Sequence, residues 1–138
     1  MTFRVPLKVR LSDIDQAGIV FYPNFFRYVN IALEEFFSRK IGVDYPTLVI
    51  KHRIGLPTVH LESDFKHPMR FGDSFEVEMN VESVGNSSIT FAYAIHIGGK
   101  ETVAVRGKKV TACLDLDTFE KKEIPEWLRV KLIACQEG

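Results

Sequence analysis

The chain of 138 residues carries 18 Lys plus Arg against 18 Asp plus Glu, a formal net charge of zero, with 46% hydrophobic and 26% charged residues. Those proportions are those of an ordinary globular domain, and the balanced charge withholds the attraction on which nucleic-acid binding rests, so nucleic acid is set aside as the principal ligand. No apolar run approaches the roughly 18 residues of a membrane span and the N-terminus has no apolar signal region, so a cytoplasmic protein without a membrane partner is expected.

At this length folding buries roughly 68% of the extended chain's surface, enough for a core without metal or disulfide staples. We therefore expect a single domain over residues 1–138. Cys113 and Cys135 are far apart with no CxxC spacing. They are read as free thiols, with no metal site and no disulfide framework.

Phe3 to Leu11 alternates apolar and polar residues, with Phe3, Val5, Leu7, Val9 and Leu11 on one face, which predicts a half-buried strand. After a turn-like stretch from Ser12 to Gly18, the apolar residues Phe25, Phe26, Val29, Leu33, Phe36 and Phe37 recur at helical spacing. Pro23 suits the first turn of that helix and Gly42 its stop. The wide phenylalanine face predicts one long helix wrapped by the rest of the chain.

Period-two patterning then takes over. Leu56 to Phe65 has Val59, Leu61 and Phe65 in alternation, Phe75 to Glu82 alternates Phe75, Val77, Met79 and Val81 against Glu76, Glu78, Asn80 and Glu82, Ser88 to Ile97 is apolar or small on both faces, and Val103 to Leu114 reads as a long fifth strand. Gly85-Asn86 and Gly98-Gly99 are expected to supply the positive-φ residues of tight hairpins, which makes the last three strands an antiparallel meander. Pro125 opens a short C-terminal helix in which Leu132 and Ile133 are available to pack back.

One apolar helix between a first strand and four antiparallel strands describes an α+β domain whose sheet curls around the helix. The runs FEVEMNVE and VAVRGKKV are candidate edge strands for pairing with a second copy, so a homo-oligomer is expected.

Chemistry concentrates in Leu11 to Asn30, LSDIDQAGIVFYPNFFRYVN. Two carboxylates, Asp13 and Asp15, precede a small-residue turn and a helix start, which brings an acid close to the free N–H groups of a helix N-terminus. A carboxylate there can act as nucleophile or general base while the helix amides hold a developing oxyanion. The same residues can equally be turn and capping residues without chemistry. A magnesium-dependent phosphatase also uses paired aspartates, but on a parallel sheet with strand-helix alternation, which this chain lacks.

Asp13-x-Asp15-x-x-Gly18-x-Val20-Phe21-Tyr22-Pro23-Asn24 resembles the signature of the hotdog-fold acyl-CoA thioesterases, in particular the 4-hydroxybenzoyl-CoA thioesterase branch, and His67-Pro68-Met69-Arg70-Phe71-Gly72-Asp73 is similar to that family's Pro-x-x-x-Gly-Asp turn. The resemblance implies a hotdog fold, an antiparallel sheet of about five strands around the helix, and hydrolysis of an aryl or short to medium acyl-CoA thioester. It implies Asp15 as the catalytic carboxylate and the Tyr22 backbone N–H as the group polarising the thioester carbonyl, with no cofactor and a homodimer or homotetramer. Departures are informative. Tyr22 stands where a related branch has His, Gly85-Asn86-Ser87 stands where the hydroxybenzoyl-type enzyme has a basic phosphate-binding run, and Asn30 replaces its mid-helix acid near the substrate ring.

Gly18, Phe21 and Phe25 are therefore candidate substrate-binding residues beside Asp15 and Tyr22, although a phenylalanine such as Phe25 in a helical stripe also reads as core. Arg106 and Lys108, with Lys109, form a basic cluster that could hold CoA phosphates or lie on a solvated strand face. His52, His60, His67 and His96 share no metal-ligand spacing and are read as structural. A non-catalytic acyl-CoA or acyl-carrier binding module of the same fold is the alternative function.

Overall fold

A computed structural model describes residues 3–98 and 102–136. The elements run β1 (Phe3–Lys8), a 3-10 turn (Leu11–Asp13), α1 (Pro23–Phe36), a π turn (Phe37–Ile41), a second π turn (Thr47–Lys51), β2 (Ile54–Gly55), β3 (Thr58–Phe65), β4 (Ser74–Val84), β5 (Ser88–Ile97), β6 (Val103–Ala112), β7 (Leu114–Asp115), β8 (Glu120–Lys121) and α2 (Glu126–Gln136). A five-stranded sheet has the order β1-β4-β5-β6-β3, and β2, β7 and β8 form a small second one. Every neighbouring pair in the large sheet is antiparallel, and β4, β5 and β6 form the expected meander.

The helix is shorter than the sequence pattern suggested. α1 spans 14 residues, and the apolar repeat continues through a π turn to Ile41, where Gly42 at φ 85° ends it. The adjacent Phe36 and Phe37 explain the change of winding: both are buried, and both pack edge-on or tilted against Phe91 of β5. A regular helix sets successive side chains about 100° apart, so wider winding helps two neighbouring large rings reach one sheet.

α1 lies on one face of the sheet, where Phe75, Val77, Met79 and Val81 of β4 and Ile89, Phe91, Tyr93 and Ile95 of β5 form the core floor. Rings interlock across it, Phe3 with Phe36 at 5.4 Å and Tyr28 with Phe75 at 4.7 Å between centroids. Leu128 and Leu132 of α2 join this core. Ile133 does not: successive helical positions diverge by that same 100°, so with Leu128 and Leu132 inward Ile133 faces solvent, 48% exposed.

The edges also differ from expectation. FEVEMNVE lies in β4 and VAVRGKKV in β6, and both are internal, because β1 adds outside β4 and β3 outside β6. The true edges are β1 and β3, and β3 behaves unlike any other long strand. Its alternating apolar residues Val59, Leu61 and Phe65 are 61%, 39% and 49% exposed. The Gly85-Asn86 connection uses no positive φ. It is a longer loop closed by Gly85 N–H to the Ser88 carbonyl at 2.8 Å, and a Cβ at Gly85 would come within 2.8 Å of Ser88 Oγ, which would have to turn away. Gly98 does adopt φ 53°, while Gly99 lies outside the described residues.

Candidate functional site

Asp13 and Asp15, two residues apart, meet opposite fates. Asp13 is 1% exposed. Its carboxylate accepts hydrogen bonds from the Arg10 N–H at 2.9 Å, from the Tyr28 hydroxyl at 2.7 Å and from the Arg27 guanidinium. Its carbonyl accepts from Phe21 N–H and from the Asn24 side-chain amide. One residue thus ties the turn after β1 to the first two turns of α1. Burial alone pushes the Asp13 carboxyl up, but the Arg10 N–H, the Tyr28 hydroxyl and the Arg27 charge outweigh it and bring it below the ordinary carboxylate value.

Asp15 is exposed and only half used: one oxygen accepts the Ala17 N–H at 2.8 Å, an Asx-type turn. Its backbone N–H pairs with the Ile19 carbonyl at 2.9 Å in a narrow hairpin also bridged between Ile14 and Val20. Gly18 closes that hairpin at φ 79°, a conformation that costs a residue with a Cβ. The segment His67 to Asp73 cradles the outer strand of the hairpin. Val20 N–H donates to the Met69 carbonyl, Phe71 N–H donates to the Gly18 carbonyl, and Ile19 bridges Arg70. The two sequence motifs are therefore one structural unit.

Tyr22 is the N-cap of α1. Among the hydrogen bonds of the described residues its backbone N–H donates none, as expected for a first-turn donor at the positive end of a helix. Beside it, Phe21 stacks edge-on against the Tyr22 ring at 5.6 Å, and Phe65 of β3 meets Tyr22 at 6.2 Å and Phe25 at 5.6 Å. Tyr22, Phe25, Phe65, Ile19, Lys66 and His67 line a cavity of about 290 Å³. Phe25 is buried, so it serves both as core and as cavity wall.

A larger cavity of about 630 Å³ lies on the other flank of α1, against β1, with Arg10, Arg27 and Tyr28 on its walls and Asp13 at its floor. Its carboxylate is already committed to three donors, which leaves it poorly suited to attack a substrate.

The basic cluster of β6 is split by the period of the strand. Arg106 and Lys108 point to the face away from α1, among Glu62, Asp64, Glu78 and Glu82, and Lys108 pairs with Glu82 at 3.0 Å. The structure does not bring them together with Asp15 and Tyr22. Lys109 points the other way, under α1, is 8% exposed, and its ammonium donates to the Asn30 side-chain carbonyl. Burial pushes this lysine down from its ordinary value. Sequence reasoning missed Phe65, Lys66 and the special place of Lys109; the available signal was the parity that sets Lys109 apart from Arg106 and Lys108.

Among the described residues no helix is long and apolar enough to cross a membrane, and Cys113 and Cys135 are unpaired thiols, the first fully buried and the second in α2.

Comparison with known proteins agrees with this architecture. A 1,4-dihydroxy-2-naphthoyl-CoA hydrolase of Nostoc punctiforme is 25% identical over 126 residues, 91% of this chain and 83% of the relative. Among solved structures, a 1,4-dihydroxy-2-naphthoyl-CoA thioesterase from Synechocystis superposes with a TM-score of 0.86 at 22% identity over 96% of each chain, a likeness of fold. A gentisyl-coenzyme A thioesterase superposes with a TM-score of 0.82 at 25% identity, covering 94% of this chain and 99% of that one. The sequence profile of the thioesterase-like superfamily matches residues 9–132, from the end of β1 into α2 and across both motifs. The chain has the hotdog fold and belongs to the thioesterase-like superfamily.

Proposed function

We propose that the protein is an acyl-CoA thioesterase that hydrolyses an aryl or short to medium-chain acyl-CoA to the free acid and CoA. One observation carries the reading: the tight hairpin that holds Asp15, an exposed and half-used carboxylate, runs into the start of α1, where the Tyr22 N–H donates no hydrogen bond among those of the described residues and Tyr22 lines an aromatic cavity. The named activities of the relatives support the same chemistry.

The thioester carbonyl oxygen is placed at the Tyr22 N–H, where the helix terminus stabilises the oxyanion that forms. Asp15 either attacks the carbonyl carbon, with the C–S bond breaking and CoA leaving as thiolate before water opens the resulting anhydride, or removes a proton from the attacking water. A thiolate is a good leaving group, so neither route needs a strong acid at the sulfur. Within one chain Lys66, on the cavity wall, is better placed to meet a CoA phosphate than Arg106 and Lys108. We also propose a dimer or a dimer of dimers, because β3 leaves both an unpaired edge and three apolar side chains uncovered.

Thiol release from a panel of aryl and aliphatic acyl-CoAs tests the reading. The wild type is expected to turn over at least one member, and Asp15→Asn to lose orders of magnitude in kcat while remaining folded. Label from water appearing in the Asp15 carboxylate under single turnover identifies the anhydride route. Binding of acyl-CoA without turnover by either protein overturns the enzyme reading in favour of a binding module.

A further inference from the structure

The cavity of about 630 Å³ on the β1 flank of α1 has no part in the proposed hydrolysis. Its size lies within the range of about 300–1,000 Å³ common to small-ligand sites. Arg27 and Ile31, one helical turn apart on α1, line it together with Leu7 of β1 and Phe75 of β4. Tyr28 adds an aromatic wall: its ring packs on Phe75 at 4.7 Å between centroids, and the Arg27 guanidinium sits over it at 5.5 Å. The cavity therefore combines an apolar body with a cationic side.

Charge narrows what the cavity can take. Lys8, Arg10 and Arg27 line it against two carboxylates, Asp13 and Glu76, which leaves one positive charge in excess. Both carboxylates are already engaged, Asp13 by the Arg10 N–H, the Tyr28 hydroxyl and Arg27, and Glu76 by Arg4 at 3.3 Å. Among the described residues no ion pair involves Lys8 or the exposed Arg10 side chain. Arg27 is half exposed and spends one of its five N–H donors on Asp13. A guanidinium with donors to spare suits a planar carboxylate, which it can meet with two parallel bonds. One surplus charge matches a monoanion, whereas the several phosphates of CoA bring more negative charge than this lining offsets. No residue lines both this cavity and the aromatic one at Tyr22. β1 is also the sheet edge opposite to β3, so a second copy paired along β3 leaves the β1 flank open.

We propose that the β1-flank cavity is a second binding site, for an amphipathic carboxylic acid in its anionic form, with the carboxylate on Arg10 and Arg27 and an aliphatic or aryl body against Leu7, Tyr28, Ile31 and Phe75. The acid released by thioester hydrolysis belongs to this class. Binding here depends on the β1-flank residues alone, however, and is measured without turnover.

Calorimetric titration of the full chain with octanoate and with 2-naphthoate tests this, with octanamide, 2-naphthamide and acetate as comparisons. At least one of the two acids is expected to bind about tenfold to a hundredfold tighter than its amide, the size of a hydrogen bond to a charged group, and acetate more weakly than either acid. Arg10→Gln, which removes a cation, and Ile31→Trp, which fills the apolar part, should each weaken that acid by about tenfold. Phe65→Ala, at the other cavity, should leave its affinity unchanged. Equal affinity for acid and amide, or no binding of either acid, overturns the proposal. A loss in Phe65→Ala as large as that in Arg10→Gln overturns it by placing the acid at the thioester end, and acetate binding as tightly as octanoate overturns it by showing a bare surface cation. Should Ile31→Trp fail to fold, Arg10→Glu decides in its place, since that side chain is exposed: its acid affinity must fall further than in Arg10→Gln.

Discussion

On the flank of α1 that faces β1 and β4, alternation in the sequence becomes burial residue by residue: Phe75, Val77, Met79 and Val81 are all closed off, and the charged Glu76 and Glu78 on the other face pair with Arg4. On the flank that faces β3 the same period-two pattern leaves Val59, Leu61 and Phe65 open and encloses a lysine instead. The first flank buries its strand residues within one chain, beside the cavity of about 630 Å³ against β1, and the second leaves the apolar residues of β3 uncovered. The aromatic cavity lined by Tyr22, Phe25 and Phe65 lies on the β3 side, whereas Asp13, buried and bonded to Tyr28 and Arg27, lies on the β1 side, and Asp15 is exposed in the hairpin before α1. Burial and exposure are thus divided between two aspartates only two positions apart.

Substitutions on the two flanks put this division to the test. The largest effect on stability is expected from Phe91→Ala, which removes a ring in contact with both Phe36 and Phe37; it should cost about 3–5 kcal/mol in denaturant unfolding. Asp13→Asn comes next at about 1.5–3 kcal/mol, since it keeps the shape but weakens bonds made to a charge. Its pH dependence has a definite sign. The folded Asp13 carboxyl lies below its unfolded value, so its contribution is complete above the unfolded value and is lost as pH falls through the folded one. Acid unfolding of the wild type should therefore show a limb that Asp13→Asn lacks. An equal acid slope in the two proteins would remove Asp13 from the stability account.

The smallest effect is expected on the open flank. Val59→Thr should stay within about 0.5 kcal/mol in a single subunit, because its side chain is already in solvent. A cost comparable to that of Phe91→Ala, together with unfolding that depends on protein concentration, would show that a second copy covers β3 and that the flank is finished between chains.

Much of this was legible beforehand because period and turn chemistry are local. The helix start at Pro23, its glycine stop at Gly42, the meander of β4, β5 and β6, and the clustering of Asp13 to Asn24 at a helix N-terminus all follow from residues near one another in sequence. The pairing of the His67 to Asp73 turn with the signature hairpin was not legible, since it joins segments about fifty residues apart through backbone bonds that any side chain allows.

The sequence by itself determined which residues share a face, because the periods of helix and strand are set by backbone geometry. The same period sets Lys109 opposite to Arg106 and Lys108, although the sequence reading took the three as one cluster. Only the tertiary structure decided which faces are covered. β1 and β3, rather than β4 and β6, became the edges, Val59, Leu61 and Phe65 were left open, Asp13 was buried while Asp15 was not, and Lys109 was enclosed beneath Asn30. Burial depends on what long-range pairing brings opposite each face, and strand order across a sheet is a long-range choice that local pattern does not encode.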